Sequence, residues 1–511
     1  MVTRSPLRSG VVLCAVSACA LVLFALSTSE ARASWPSKPD RNLPVCTAAG
    51  SQGAPDIVSD GAGGAIVTWE DDRRPDDRDL YAQRMDSTGT LLWTRNGVPL
   101  CTAPGEQRDA RILSDGRGGA IVVWHDHRNP AGWDVYAQRL GPHGTPLWAA
   151  DGVCLTAASG DQMSPGIVGD GRGGAVVAWE DRRSGASTDI YAQLVDSTGT
   201  TRWAVDGIMV CGSTGDQLTP RITAAGAAGS IVTWQDGRTS GDRPGIYAQL
   251  LSRAGEPMWT ADGVTVCADA DANAHPMPLS DGAGGVIVAW DDLHIYAQRV
   301  DSSGRRLWTA DGVRLSTGVG TVPAVAASDA GEAIVTWRGG GEDEDAGDIS
   351  AQRIGADGSL RWPGGAVVCA AVGLQTLPAI TSDGAGGAIV SWEDDRTGFL
   401  GDIYAQRVDS TGASLWAENG VVLCTAPGEQ YAPTIAPDGA GGAIIAWQDE
   451  RAGRHIYAQR VDPFGHLGGT VRVSSTARRA AGTNLPLIPS GDRGRPPRVK
   501  SKSKLDGGKL P

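Results

Sequence analysis

The chain has 511 residues, 41% of them hydrophobic and 20% charged, with a formal net charge of -13 and unusual counts of 71 Gly, 17 Trp and 3 Phe. Glycine without a Gly-X-Y period excludes collagen, the apolar share excludes wholesale disorder, and the acidic balance argues against nonspecific nucleic-acid binding. A chain of this length exceeds one ordinary compact core, so several domains or a repeat architecture are expected.

The N-terminus reads as a targeting segment. Arg4 and Arg8 form a basic start, an apolar stretch runs from Gly10 to Leu26, and Ala31-Arg32-Ala33 supplies a small-x-small cleavage signal. Residues 1–33 are therefore expected to be a signal peptide, cut before Ser34. Two other readings stay open. One is an uncleaved anchor; the other is a lipoprotein box at Val16-Ser17-Ala18-Cys19, against which the apolar run continues through Phe24.

From there the chain repeats itself eight times. Gly-Ala-Ile-Val-x-Trp and its variants place Trp69, Trp124, Trp179, Trp234, Trp290, Trp337, Trp392 and Trp447 at intervals of 55, 55, 55, 56, 47, 55 and 55 residues. A second series begins at Trp93 and runs through Trp148, Trp203, Trp259, Trp308, Trp362 and Trp416. Between the two lies Tyr-Ala-Gln, whose Gln is present in every repeat, beginning with Gln83. Repeat 7 shows the strands: Pro378–Ile380, then Ala388–Trp392 after an Asp-Gly-x-Gly-Gly loop, then Ile403–Val408, then Val421–Cys424. The second strand is an unbroken apolar run, as a strand buried on both faces should be. Helical spacing is absent. Four strands in 40 to 55 residues match one propeller blade. The expected fold is all-β: a single eight-bladed β-propeller of four-stranded blades over residues 34–477. A spare fourth strand precedes the first repeat (Trp35 to Cys46), and a degenerate one follows the last (Thr470 to Ser474). Strands from the two termini are expected to meet and close the ring, removing bare sheet edges. An open β-solenoid is the competing architecture.

Asp409-Ser410-Thr411-Gly412 through Trp416 resembles the strand–turn–strand of quinoprotein-type eight-bladed propellers, with one residue fewer between Asp and Trp. The repeat also resembles those of exported bacterial tandem-repeat proteins. The resemblance implies architecture, not activity, because propellers host unrelated functions. The quinoprotein likeness lacks the adjacent cysteines often found beside that cofactor. Beyond the repeats, residues 478–511 carry nine Lys/Arg and two Asp among Pro, Gly and Ser. They read as a disordered basic tail.

Candidate chemistry divides into repeated and unrepeated residues. Trp-x-Asp-x-Arg, seen first as Asp71 and Arg73, recurs six times and reads as an ion-pair cluster organising each blade. A third carboxylate often precedes the Tyr (Asp79, Asp134, Asp189, Asp348, Asp402), and an Arg fork can hold two carboxylates. Seven cysteines follow the leader and read as buried free thiols. Function is expected where the repeats break. Trp133 stands outside both Trp series, beside His125 and His127. Repeat 5 is shortened around Asp292 and His294. Repeat 6 has Arg338 in place of the usual acid, then an acidic run of Glu342, Asp343, Glu344 and Asp345. Tyr431 is an extra aromatic. Trp133, Asp292, His294, Arg338 and Tyr431 are the candidate ligand-binding residues. The acidic run is the candidate metal site, and calcium is the only metal it suggests. No cofactor is expected. Serine-hydrolase elbows, His-Glu-x-x-His and phosphate-binding loops are missing. The leading expectation is an exported, monomeric, non-catalytic binding or scaffolding propeller with a protein or glycan partner. The alternative is a carbohydrate-active hydrolase or lyase, or a quinone-dependent dehydrogenase, on the same scaffold.

Overall fold

The computed structural model describes residues 34–74, 77–239, 244–268, 275–329, 331–340, 347–398 and 401–469. These form eight separate four-stranded antiparallel sheets, with strand order following chain order in seven of them. Blade 7 is typical: Gln375–Ser382, Ala388–Asp394, Asp402–Val408 and Val421–Cys424, from first strand to fourth. Each first strand packs on the first strands of both neighbours, and blade 8 returns to blade 1. The ring is therefore closed and the first strands line its axis. The eighth sheet settles how it closes. Its first three strands are Gln430–Pro437, Ala443–Asp449 and His455–Val461, and its fourth is Leu43–Cys46 from the N-terminal side. The spare N-terminal strand thus does what was expected of it, while the C-terminal segment 470–474 lies outside the described residues.

The core is distributed. Eight apolar clusters are present among the described residues, each shared by two adjacent blades. This follows from the sequence, since the second strands are apolar on both faces and each face needs a neighbouring sheet. The second-strand Trp side chains are buried in every blade.

The second Trp series joins the blades. Trp93 donates from Nε1 to the Pro142 carbonyl of the next blade at 3.1 Å, and a Cβ at Gly144 would come within 2.8 Å of its ring. Gly144 (φ 76°) therefore serves both a left-handed turn and a close approach. Trp35 plays the same part against Gly89, completing the circle. The repeated Gln is equally structural. Gln83 is fully buried, donates to Thr94 O at 2.9 Å and accepts from the backbone amides of Arg84 and Trp93 at 3.0 Å. It satisfies the chain where it crosses back from third strand to fourth.

Candidate functional site

One face of the ring carries the first-to-second and third-to-fourth connections, and it is regular. In blades 1, 2, 5, 7 and 8 the loop Asp pairs with the Arg that follows Tyr-Ala-Gln, at 2.8–3.0 Å (Asp60 with Arg84, Asp438 with Arg460). The opposite face, with the second-to-third connections, is where the blades differ.

The Trp-x-Asp-x-Arg residues of that face are structural. Asp71 is buried, accepts from Trp69 Nε1 at 2.8 Å and holds both Nε and Nη2 of Arg73 at 2.8 and 2.6 Å. Arg73 also donates to Asn96 O at 2.9 Å and lies 3.6 Å over the Tyr81 ring, with Cys46 Sγ of the preceding blade 3.5 Å away. The pattern recurs at Asp126/Arg128, Asp236/Arg238, Asp394/Arg396 and Asp449/Arg451. In blade 3, Arg183 meets Thr156 instead of a thiol.

Two expectations need correction. The Arg forks take one carboxylate, not two. Asp79 is bound by Arg74, while Asp189 and Asp402 meet Ser187 and Thr397. The forks are already filled by Asp, a carbonyl and the Tyr ring. Nor are all seven cysteines buried. Six are, but Cys154 is exposed, because Thr156 occupies the buried register position of that strand. Burial pushes the Cys101 and Cys424 thiols up to about 12, so they behave as small apolar groups.

The unrepeated residues lie around the axis. In seven blades the third residue of the first strand is a non-glycine in the left-handed region: Ala54, Asp109, Ser164, Thr219, Val322, Leu377 and Ala432, with φ from 47° to 54°. Such a conformation costs roughly 1–2 kcal/mol. The residue following the second-strand Trp of the preceding blade supports it. Glu70 accepts the Asp109 amide at 2.9 Å, Glu180 the Thr219 amide at 2.8 Å and Asp291 the Val322 amide at 3.2 Å.

Two rings of side chains result. The upper is Glu70, His125, Glu180, Gln235, Asp291, Arg338, Glu393 and Gln448. The lower, at first-strand positions set by the register, is Asp56, Arg111, Gly166, Arg221, Met277, Ala324, Ala379 and Thr434. The lower ring is charged on blades 1, 2 and 4 and uncharged on blades 5 to 8. Gly166 is the gap: a Cβ there would already touch Ile222 at 3.4 Å, so a side chain would fill the space between Arg111 and Arg221.

Arg111 is buried and paired with Asp109 at 2.9 Å. Arg221 is 8% exposed, and among the described residues its one hydrogen bond goes to the Pro220 carbonyl at 3.1 Å, with no ion pair. Burial, then the like charge of Arg111, lowers its pKa to about 10, so it remains cationic at neutral pH. His125 stands where Glu70 and Glu180 stand in neighbouring blades, and its buried Nδ1 has no hydrogen-bond partner among the described residues. Burial drives its pKa down to about 4, so it is neutral. Burial raises the pKa of Glu180, opposed by the Thr219 amide. A buried cation beside a second one, without its own carboxylate, is chemically an anion site.

The five residues singled out from sequence sit on four blades. Trp133 is half-buried, 4.7 Å edge-on from His125 and 4.8 Å from His127; it adjoins the charged rings. Arg338 belongs to the upper ring, on blade 6. Tyr431 is across the ring on blade 8, its hydroxyl 3.3 Å from Glu450. Asp292 and His294 flank Leu293 (φ 57°) in a tight hairpin, and His294 Nδ1 lies 2.8 Å from Gly318 O. Glu342, Asp343, Glu344 and Asp345 lie outside the described residues. No group of three or more His, Cys, Asp or Glu among the described residues could hold a metal. Sequence reading missed Arg111, Arg221 and Gly166. Their signal was the variable position of the first strand, visible only once the repeats are stacked.

No family model matches the chain, and no curated protein does. Solved structures similar to it are propellers acting on glycans, at low identity. An ulvan lyase bound to a glucuronate–sulfated rhamnose unit is 11% identical over 87% of this chain and 100% of that one, with a TM-score of 0.45. An α-L-arabinanase of Penicillium chrysogenum complexed with arabinobiose is 13% identical over 63% and 99%, with a TM-score of 0.37. The Hadza microbial sialidase Hz136 is 11% identical over 80% and 65%, with a TM-score of 0.33. No helix among the described residues is long and apolar enough to cross a membrane.

Proposed function

We propose that this is an exported, non-catalytic binding propeller of bacterial origin that holds an acidic glycan at its channel mouth. In this reading residues 1–33 direct export, 34–477 form the binding body, and the basic segment 478–511 is a tail. The observation that carries it is Arg221, a buried guanidinium with no ion pair among the described residues, beside Arg111 across the Gly166 gap. A carboxylate or sulfate on a sugar ring supplies the missing counter-charge in a planar, bidentate form that a guanidinium fork accepts. The half-buried Trp133, reached through His125, offers a flat apolar surface for a sugar ring.

The test is calorimetric titration of the protein with an oligogalacturonate and with a neutral oligosaccharide of equal length. Binding of the acidic ligand alone is expected. Hydrogen bonds to a charged group contribute about 1.5–3 kcal/mol, so Arg221→Ala should weaken binding roughly 10- to 100-fold at unchanged thermal stability. Equal binding of both sugars, or an unaffected variant, would reject the site. The enzymatic alternative draws on the same residues, because His125, Glu180 and Arg221 form an unrepeated set of the kind a single catalytic centre needs. Release of new reducing or unsaturated ends during the titration would replace the non-catalytic reading with that one.

A further inference from the structure

A second site emerges from comparing blades at their junctions, where the start of a third strand meets the first strand of the next blade. At the junction of blades 1 and 2 the acceptor groups are filled from within the chain. Arg74 donates from Nε to Asp79 Oδ2 at 2.7 Å and from Nη2 to the Thr102 carbonyl at 3.0 Å. At the junction of blades 8 and 1 the donor is an imidazole: His455 Nδ1 lies 2.7 Å from Gln52 Oε1, and the Gln52 amide donates to Arg454 O at 2.9 Å.

The junction of blades 7 and 8 has the same frame without the donor. Asp402 and Thr425 occupy the register positions of Asp79 and Thr102. Thr397 is five residues after its second-strand Trp, as Arg74 is after Trp69. Thr397 Oγ1 donates to Asp402 Oδ2 at 2.7 Å, as Arg74 Nε does to Asp79 Oδ2, but its side chain ends there. A cleft of about 340 Å³ takes the place of the guanidinium, lined by Thr397, Gly398, Asp402, Thr425, Ala426, Pro427 and Gly428. Behind it the Gln430 amide donates to Gly401 O at 2.7 Å, the bond that sets His455 against Gln52. Gln430 is fully buried, and its Oε1 has no hydrogen-bond partner. A buried carboxylate, an unpartnered amide oxygen and a carbonyl thus converge where a sister junction holds an arginine head.

We propose that the cleft between blades 7 and 8 is a binding site for a guanidinium group, supplied by a free small molecule or by an arginine side chain of a peptide. The ligand takes Arg74's role, pairing with Asp402 and donating to the Thr425 carbonyl. The site is independent of the channel and of the anionic ligand proposed for it.

The probes are agmatine and a blocked arginine tripeptide, each titrated into the full chain by calorimetry, with the lysine tripeptide for contrast. Binding of agmatine alone identifies a small-molecule site; binding of the arginine peptide as well identifies a docking site for a partner's side chain. Both support the proposal. Asp402→Asn should weaken binding by about tenfold or more. Thr397→Arg should abolish it while raising the melting temperature, because the chain then fills its own cleft as blade 1 does. That gain would show the variant folded. Absence of binding by either arginine probe, binding unchanged in Thr397→Arg, or equal binding of the lysine peptide would overturn the assignment.

Discussion

Arg396 illustrates how a surface-looking charge becomes structural. Its partner Asp394 is buried, and that carboxylate holds the Trp392 indole as well as the guanidinium. Removing one member of a buried pair leaves the other uncompensated, at a cost of about 3–5 kcal/mol. Arg396→Ala should therefore lower the free energy of unfolding by that order in urea denaturation. A loss below 1 kcal/mol would mean the pair acts as an ordinary exposed salt bridge. Trp392→Ala tests the apolar side of the same junction and should cost about 3–5 kcal/mol, since the indole is fully buried between two sheets. The Trp, Asp and Arg of this motif were legible in the sequence because they repeat. Its variable residue was passed over, although it supplies His125 and Arg338.

At the scale of the strand, Leu43–Cys46 carries the greatest consequence for its length. It pairs with His455–Val461, and the buried Asn42 accepts from Arg451 at 2.7 Å through Oδ1 while donating to Leu423 O at 2.8 Å. Without it the third strand of blade 8 is a bare edge, and such edges recruit other chains. A chain beginning at residue 47 should melt earlier, lose its single cooperative transition and self-associate in gel filtration. A monomer with unchanged melting would show that the ring holds without its clasp. Blade 5 shows what strand-level reading underestimated. The 47-residue interval announced a deletion, and the structure puts it in the second-to-third hairpin and in a first strand reduced to Met277–Ser280. His294, a candidate ligand from sequence, is engaged there with a backbone carbonyl because the short hairpin turns it toward the next connection.

Across the whole molecule, two populations of carboxylates set the pH response. Turn aspartates such as Asp301 and Asp409 are held below the usual range by the hydroxyl and amides of their own turns. They contribute stability above the unfolded value of about 4, and it is lost only as pH falls through their lower folded values. Buried carboxyls at the junctions and around the axis are shifted upward by desolvation: Glu70, Asp134, Glu180, Asp189, Asp348 and Asp402. Their stabilisation is fully present below the unfolded value and is lost as pH rises through the folded one. The melting temperature should therefore peak in mildly acidic solution and decline toward neutrality and above. Asp134→Asn should flatten that decline, since the amide cannot ionise. A melting temperature that rises steadily to pH 8, or a variant with the wild-type slope, would contradict the assignment.

By itself the sequence determined the blade: period-two apolar runs, turn glycines and two Trp series recur at a fixed interval, and local pattern suffices to specify a strand and its turn. It also determined the number of blades and, through the unpaired Trp35-to-Cys46 segment, the means of closure. Only the tertiary structure decided the sites. Arg111, Gly166 and Arg221 are 55 residues apart from one to the next, as any equivalent positions in successive repeats are. They become neighbours because the first strands of blades 2, 3 and 4 stand side by side on one axis. The cleft at Asp402 is likewise invisible in one dimension, being defined by the absence in blade 7 of an arginine that blade 1 retains. Repetition encodes the scaffold locally, while chemistry at its axis and junctions depends on which repeats stand beside one another.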